Sequence, residues 1–220
     1  MKYIYHHLGL GDHIICNSLV RHYQTIYGEI SVFCKIHNYE NVKYMFRDNG
    51  NINVLSIGED VDILNYIHQN NILNDVIKIG FGGEYHPNIT SFDEGFYLQH
   101  NLPFSSRFSN FYFERNSELE SEIYQKLNPD NEKFIFCHGD IDKSKIRKDL
   151  KIIENPTEYS IFNLLLLFEN AEEIHLMESS IKCLINSYTL NKPKLFYHKY
   201  VRGYSNWNNT EGLNNFTIVE

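Results

Sequence analysis

The sequence predicts an α/β protein made of two abbreviated Rossmann-like halves, each with a parallel sheet. Short apolar runs typical of buried strands alternate with stretches of helical spacing before residue 80, and the same alternation returns after residue 116. The region between lacks both patterns. A length of 220 residues suits one to two domains. We therefore predict one domain over residues 1–115 and a second over 116–220.

The first half carries four predicted strands and three predicted helices. Helical spacing of apolar residues over 14–26 predicts the first helix, which Gly28 ends. Asn38 is predicted to cap a second helix, and Val61, Leu64 and Ile67 mark a third. The strands are the runs 3–5, 30–34, 52–55 and 75–79. Alternation of strands with helices predicts parallel strands covered on both faces.

The second half repeats this pattern after an irregular stretch. That stretch, residues 80–116, is rich in Phe, Tyr and Ser and contains Gly82-Gly83, Pro87 and Pro103, with a short helix predicted near 92–99. Its aromatic side chains fit either the wall of a binding site or the core of a connector. The later predicted strands are 133–137, 152–153, 173–177 and 194–197, and the later predicted helices are 117–127, 158–170 and 180–190.

Composition excludes several classes of function. The chain has 28 acidic and 20 basic residues and a net charge of −8, which disfavours a nucleic-acid-binding protein. Its mean hydropathy is −0.40, and no apolar run approaches the ~18 residues of a membrane span. The N-terminus lacks the apolar region of a signal peptide. The four cysteines form no CxxC pair, and Cys34 and Cys137 lie in strand-like runs. We predict buried free thiols there and a cytoplasmic protein.

The strongest local motif is a strand followed by His6-His7-Leu8-Gly9-Leu10-Gly11-Asp12 and then a helix. Gly9 and Gly11 permit a tight turn and close approach of a ligand, and the helix points free N–H groups at that turn. The motif is no full dinucleotide fingerprint, because Ile14 stands where a third glycine belongs, and it is no P-loop. Asp12 fits two roles: a plain N-cap, or a general base.

Three further motifs follow strands of the second half. His138 and Asp140 precede the cationic cluster Lys143, Lys145, Arg147 and Lys148, which suits either a solvated loop or a diphosphate clamp. Glu178-Ser179-Ser180 opens a helix, where the hydroxyls fit either phosphate binding or simple capping. His198-Lys199-Tyr200-Val201-Arg202 is a basic pentad after the last predicted strand. No metal-binding or serine hydrolase motif occurs.

Together these motifs resemble the GT-B glycosyltransferases, closest to the heptosyltransferase-like group that builds bacterial surface glycans. The resemblance rests on three stretches in chain order, namely His7-Leu8-Gly9-Leu10-Gly11-Asp12 with the helix to Leu19-Val20-Arg21, residues 138–147, and Ile174-His175-Leu176-Met177-Glu178-Ser179-Ser180. It implies that the first half takes the acceptor and the second half the nucleotide-sugar donor.

The resemblance also implies residue roles. Asp12 aligns with the catalytic base of that group, and Lys145 and Arg147 are the candidates for holding the donor diphosphate. Ser179 and Ser180 would cup the phosphates, and His198 and Arg202 resemble a terminal basic motif of related small proteins. The further donor-site candidates are Gly9, Gly11, His138 and Glu178. The implied reaction is inverting sugar transfer from a nucleotide diphosphate to a hydroxyl, with no metal and no cofactor.

Two other functions remain compatible with the sequence. One is a non-catalytic module of degenerate GT-B fold that binds a nucleotide or sugar phosphate. The other is a different Rossmann-type enzyme, such as a reductase or methyltransferase. The acidic residue that such enzymes carry after the second strand for ribose binding is missing, since Lys35-Ile36-His37 stands there.

Overall fold

The computed structural model describes residues 1–81, 91–202 and 212–220, with the side chain of Arg202 left out. Within these ranges the chain divides into two compact units, Met1–Glu114 and Arg115–Glu220. Each unit is an α/β structure around one sheet whose strand pairs are parallel. The predicted fold class is confirmed.

The first unit contains a four-stranded sheet with the order β3-β2-β1-β4. Its strands are β1 (Lys2–Tyr5), β2 (Ile30–Lys35), β3 (Ile52–Ile57) and β4 (Val76–Lys78), and its helices are α1 (Leu10–Ile15), α2 (Asn17–Tyr27), α3 (Tyr39–Met45), α4 (Asp60–Gln69), α5 (Phe92–Gln99) and α6 (Ser106–Ser109). The chain moves outward from β1 to β3 and then returns to the other side of β1 with β4. The strand order therefore reverses between β1 and β4.

The second unit contains a five-stranded sheet with the order β6-β5-β7-β8-β9. Its strands are β5 (Phe134–His138), β6 (Lys151–Glu154), β7 (Glu173–Leu176), β8 (Lys194–His198) and β9 (Phe216–Val219), and its helices are α7 (Ser117–Leu127), α8 (Leu165–Asn170) and α9 (Ser180–Ser187). The order reverses between β5 and β7. The sequence prediction missed β9.

Two predicted helices differ from the structure in their extent. The helix predicted over 14–26 begins earlier, at Leu10, and is divided at Cys16 into α1 and α2. The helix predicted over 158–170 starts as a 3-10 turn, Ile161–Leu164, and becomes α-helical only at Leu165. Gly28 ends α2 as predicted, with a positive φ of 74°.

The core of each unit lies against its sheet. In the first unit, Phe33 of β2 packs with Ile63 and Ile67 of α4 in one apolar cluster. In the second, the ring of Phe136 on β5 contacts Phe168 of α8, with centroids 4.8 Å apart. Three of the cysteines are buried as free thiols, Cys34 and Cys137 among them as predicted.

The aromatic stretch between the halves contributes to the core of the first unit. Phe96 and Tyr97 of α5 are fully buried, and the Tyr97 hydroxyl donates a 2.7 Å hydrogen bond to the carbonyl of Ile15. These two residues therefore pack the connector core. Gly82-Gly83 and Pro87 lie outside the described residues.

Candidate functional site

Each unit has candidate site residues of its own, at the point where its strand order reverses. In open parallel sheets, ligands bind beside the carboxyl ends of the two strands that flank this point, because their following loops diverge there and leave a crevice. In the first unit the flanking strands are β1 and β4, and in the second they are β5 and β7. The predicted motifs after β1, β5 and β7 follow three of these four strands.

In the first unit, the GLGD motif forms the start of α1. Gly9 is the N-cap, in an extended conformation with φ −67°, and Asp12 lies in the first turn of the helix. The alternative that Asp12 caps the helix is therefore wrong. The two glycines also need no left-handed backbone, since the positive-φ glycines of the described residues are Gly28, Gly80 and Gly139. What Gly9 supplies is space, because a Cβ there would lie 2.6 Å from Asp12 Oδ2.

Asp12 is partly buried, and its environment favours the protonated form. Burial raises its pKa to about 6. The neighbouring His7 and hydrogen bonds from the backbone amides of Gly9 and of Asp12 itself act in the opposite direction and hold the rise there. A carboxyl whose pKa lies near neutrality can take up and release a proton at physiological pH.

Neighbouring side chains fix the turn before Asp12. The Asn38 side-chain amide donates a 2.9 Å hydrogen bond to the Leu8 carbonyl. His7 Nε2 lies 3.2 Å from the carbonyl of Gly80, the residue that follows β4 and Ile79, and the His7 ring stacks near Phe96. The loops after β1 and β4 are thus joined across the point where the strand order reverses.

In the second unit, the loops after β5 and β7 also meet. Gly139 follows β5 with φ +99°, and a Cβ there would collide with the Met177 side chain, so this position requires glycine. Half-buried His138 precedes it. Ser179 caps α9, accepting from the amide of Lys182 at 3.3 Å and donating to the Met177 carbonyl at 3.2 Å. Of the two alternatives for Ser179, capping is therefore the one that its contacts show.

Two neighbours of Ser179 differ in their surroundings. Ser180 occupies the first position of α9 and is partly exposed. Glu178 pairs with Lys182 at 2.7 Å and accepts from the Tyr197 hydroxyl at 3.0 Å. The carboxylate of Glu178 is therefore already compensated by a cation and a hydroxyl of its own unit.

The cationic cluster after β5 is spread out, and two of its members, Lys143 and Arg147, are ion-paired. Lys145 donates to the Glu220 carbonyl, and its Nζ lies 4.6 Å from the centre of the Tyr200 ring. Arg147 pairs with Asp149 and lies 3.4 Å from Glu173, the first residue of β7. That is about 10 Å along β7 from its carboxyl end. The structure therefore does not bring Arg147 together with Ser180 at the strand ends.

The pentad of residues 198–202 contains a histidine that carries no positive charge. His198 is fully buried, and burial together with the neighbouring His175 and Lys145 lowers its pKa to about 4. The positive charge of the pentad therefore does not come from His198, whose buried imidazole is neutral near pH 7. The side chain of Arg202 lies outside the described residues.

No three His, Cys, Asp or Glu side chains converge as a metal-binding group within residues 1–81, 91–202 and 212–220. Over the same ranges, the helices are too short and too polar to cross a membrane.

Comparison with known proteins finds similarity in structure alone. No family model and no curated protein matches the sequence. A glycosyl transferase family 9 protein of Veillonella parvula is similar with a TM-score of 0.57 and 8% identity, over 99% of this chain and 86% of that chain. The ADP-heptose lipopolysaccharide heptosyltransferase II of Escherichia coli has a TM-score of 0.57 and 12% identity, over 100% of this chain and 90% of that chain. The predicted likeness in fold to heptosyltransferase-like GT-B proteins is confirmed.

Proposed function

We propose that this protein is a glycosyltransferase that moves a sugar from a nucleotide-diphosphate donor to a hydroxyl of a glycan or another acceptor, with Asp12 as the base. The observation that carries the proposal is the placement of Asp12: a partly buried carboxyl with a pKa of about 6, after β1, in a glycosyltransferase fold. A carboxylate of raised pKa removes a proton more readily than one of ordinary pKa.

The proposed reaction is a single inverting displacement. Asp12 takes the proton of the acceptor hydroxyl while its oxygen forms a bond to the anomeric carbon of the donor sugar. The bond from that carbon to the diphosphate oxygen breaks, and the electron pair leaves with the nucleoside diphosphate. Attack from the face opposite the leaving group inverts the configuration at the anomeric carbon.

The negative charge of the leaving diphosphate needs fixed positive groups. We propose that the first N–H groups of α9, the Ser180 hydroxyl and Lys145 supply them. Gly9 leaves room for the Asp12 carboxylate, and we propose that Gly11 lets a ligand approach the same turn. His138 and Glu178 border the same strand ends. Arg147 lies instead beside Glu173 at the start of β7, and His198 is buried.

Ligand-induced stabilisation tests donor binding. The full chain is heated with UDP, GDP, ADP, CDP or dTDP, and with sugar derivatives of each. A ligand at about 100 times its Kd raises the free energy of unfolding by about 2.7 kcal/mol, which is a readable shift in the unfolding midpoint. Failure of all these nucleotides to stabilise the protein would contradict the donor site.

Slow hydrolysis of the bound nucleotide sugar then tests catalysis without a known acceptor. We expect Asp12→Asn to abolish release of nucleoside diphosphate and to leave nucleotide binding intact. Asp62→Asn is the matched control, because Asp62 holds the same first-turn position in α4 but follows β3, away from the reversal point. Binding without turnover in the unaltered chain would support the non-catalytic module instead.

A further inference from the structure

A continuous hydrogen-bonded chain of side chains crosses one face of the second sheet. Glu173 Oε2 lies 3.2 Å from His175 Nε2, and His175 Nδ1 lies 2.9 Å from His198 Nε2. His198 Nδ1 lies 2.9 Å from the Tyr200 hydroxyl, which in turn accepts a 2.8 Å hydrogen bond from the backbone amide of Asp142. None of these residues except His198 entered the predicted site.

For two neutral imidazoles, the chemistry of the two ends fixes the direction of every bond. Glu173 is a carboxylate acceptor, so His175 must carry its proton on Nε2 and present a lone pair at Nδ1. His198 must then donate from Nε2 and accept at Nδ1 from the Tyr200 hydroxyl. At the other end the Asp142 amide can only donate. One arrangement of protons, with both imidazoles neutral, therefore satisfies all the groups.

Burial supports the neutral arrangement. Glu173, His175 and His198 are all buried, and the His175 ring stacks on Phe196 with centroids 4.5 Å apart. Burial lowers the pKa of His175, against the opposing effect of Glu173, and lowers that of His198. The other charged groups that face the chain are Arg147 at Glu173, and Lys145 and Asp142 at His198.

The hydrogen-bonded side chains lie under the polypeptide connection between β5 and β6, residues 139–150. A Rossmann-like unit usually places a helix there, but this connection contains only the 3-10 turn Lys143–Lys145. Ile141 and Ile146 bury its apolar side against the sheet. The two ends of the histidine chain contact the same connection, through the Asp142 amide and through Arg147, which shares the Glu173 carboxylate.

We propose that Glu173, His175, His198 and Tyr200 are positioning residues that hold the 139–150 connection, and with it Lys145, in the conformation that binds the donor diphosphate. This inference rests on the proposed function for its ligand, but the hydrogen bonds among these side chains have properties that can be measured in the absence of any ligand. The ring of Tyr200 also supports the Lys145 ammonium directly.

The proton arrangement gives a spectroscopic signature. In ¹⁵N-labelled full-length protein at about pH 7, we expect His175 and His198 both to be neutral and both to carry the proton on Nε2. Finding either ring protonated on Nδ1, or charged, would overturn the proposed chain.

Tyr200→Phe tests the link to the connection, because it removes one hydroxyl and leaves the ring under Lys145. Tyr200 is 37% exposed, so the variant should fold. We expect the Asp142 amide to exchange with solvent roughly tenfold faster, as for one lost hydrogen bond, and the Kd for the nucleoside diphosphate to rise by a similar factor. Tyr159→Phe is the control, since its hydroxyl accepts a hydrogen bond from the exposed Lys126.

The outcomes separate this inference from the proposed function. If the unaltered protein binds no nucleoside diphosphate, the donor function fails. The histidine tautomers and the exchange of the Asp142 amide still decide whether the hydrogen-bonded side chains hold the 139–150 connection. If the unaltered chain binds and Tyr200→Phe binds equally well, the positioning role is overturned while the donor function stands.

Discussion

At the scale of single residues, the functional argument depends on the balance of effects at Asp12. Burial raises its pKa more than His7 and the two backbone amides lower it. The ionised carboxylate is therefore less stable in the folded chain than in water, a cost that folding must offset. Strain of this kind is expected where a group serves chemistry and not packing.

Asp12→Asn should stabilise the protein at neutral pH. The pKa of Asp12 is 3.8 in a model peptide and about 6 in the folded protein, so the folded state binds more protons between these values and stability falls as pH rises through them. Removing the charge should raise the free energy of unfolding by roughly 1–2 kcal/mol, allowing for partial solvent access. Urea unfolding of both proteins at about pH 7.5 measures it.

The gain from Asp12→Asn should shrink at about pH 5, because the folded carboxyl is then mostly protonated already. Asp62→Asn should show no such gain, since Asp62 takes part in a capping box on α4. Equal stability of Asp12→Asn and the unaltered chain at both pH values would mean that the carboxylate is not desolvated.

Sequence patterns identified Asp12 but not its local role. A strand, two glycines and an acidic residue before a helix are enough to locate the turn, whereas the helix boundary depends on the three-dimensional path of Gly9. The histidine chain was missed for a related reason. Glu173 with His175, and Phe196 with His198, each have the spacing of one strand face, but their meeting depends on the register of β7 with β8.

At the scale of elements, the start of α9 separates structural from functional serines. Ser179→Ala removes the cap and should lower the free energy of unfolding by about 1 kcal/mol. Ser180→Ala should leave stability within about 0.5 kcal/mol, because Ser180 is partly exposed, and should weaken nucleotide binding. Chemical unfolding and nucleotide titration of both variants check this. Equal binding by Ser180→Ala and the unaltered chain would contradict the role of Ser180.

A second element-scale prediction concerns the ion pair between α5 and α6. Arg107 and Asp93 form an ion pair in which both side chains are buried, and the Arg107 carbonyl also accepts a 3.0 Å hydrogen bond from Ser18 of α2. Asp93→Ala leaves a buried guanidinium without this partner and should destabilise the protein by about 3–5 kcal/mol. Thermal unfolding measures the loss, and a cost under about 1 kcal/mol would mean that water reaches the pair.

Predictions of elements from sequence succeeded where apolar periodicity was strong and failed where burial was decided by neighbours. Val61, Leu64 and Ile67 predicted α4, and of these Ile67 is buried, whereas Val61 and Leu64 are more than half exposed, at 60% and 53%. Ile63, which the prediction did not use, is buried beside Ile67. Strand β9, Phe216–Val219, is too short to be distinguished from a loop by its sequence, and its pairing with β8 defines it.

At the scale of the whole molecule, both units contain buried histidines that are neutral. Burial lowers the pKa of His6 to about 4 and that of His13 well below its ordinary value in the first unit. The rings of this pair lie 4.3 Å apart. In the second unit, His175 and His198 have lowered pKa values for the same main reason. Each unit thus has an independent source of sensitivity to acid.

The protein should lose stability as the pH falls below about 6.5. An unfolded histidine has a pKa of 6.5, whereas His6 and His198 reach about 4 when folded. Between these values the unfolded state binds more protons, so each buried histidine can remove up to about 1.4 kcal/mol per pH unit on acidification. Asp12 acts in the opposite direction over pH 3.8 to about 6, but one carboxyl does not offset four imidazoles.

Thermal unfolding at about pH 7.5 and about pH 5.5 measures this loss, and we expect a clearly lower midpoint at the acidic pH. His68→Gln is the control, since His68 is exposed on α4 and its removal should leave the pH dependence unchanged. His198→Gln should reduce that dependence, because the unfolded chain then has one fewer group to protonate. A midpoint that is equal at both pH values would show that the buried imidazoles are not held neutral, and would contradict the hydrogen-bonded arrangement of Glu173, His175 and His198 as well.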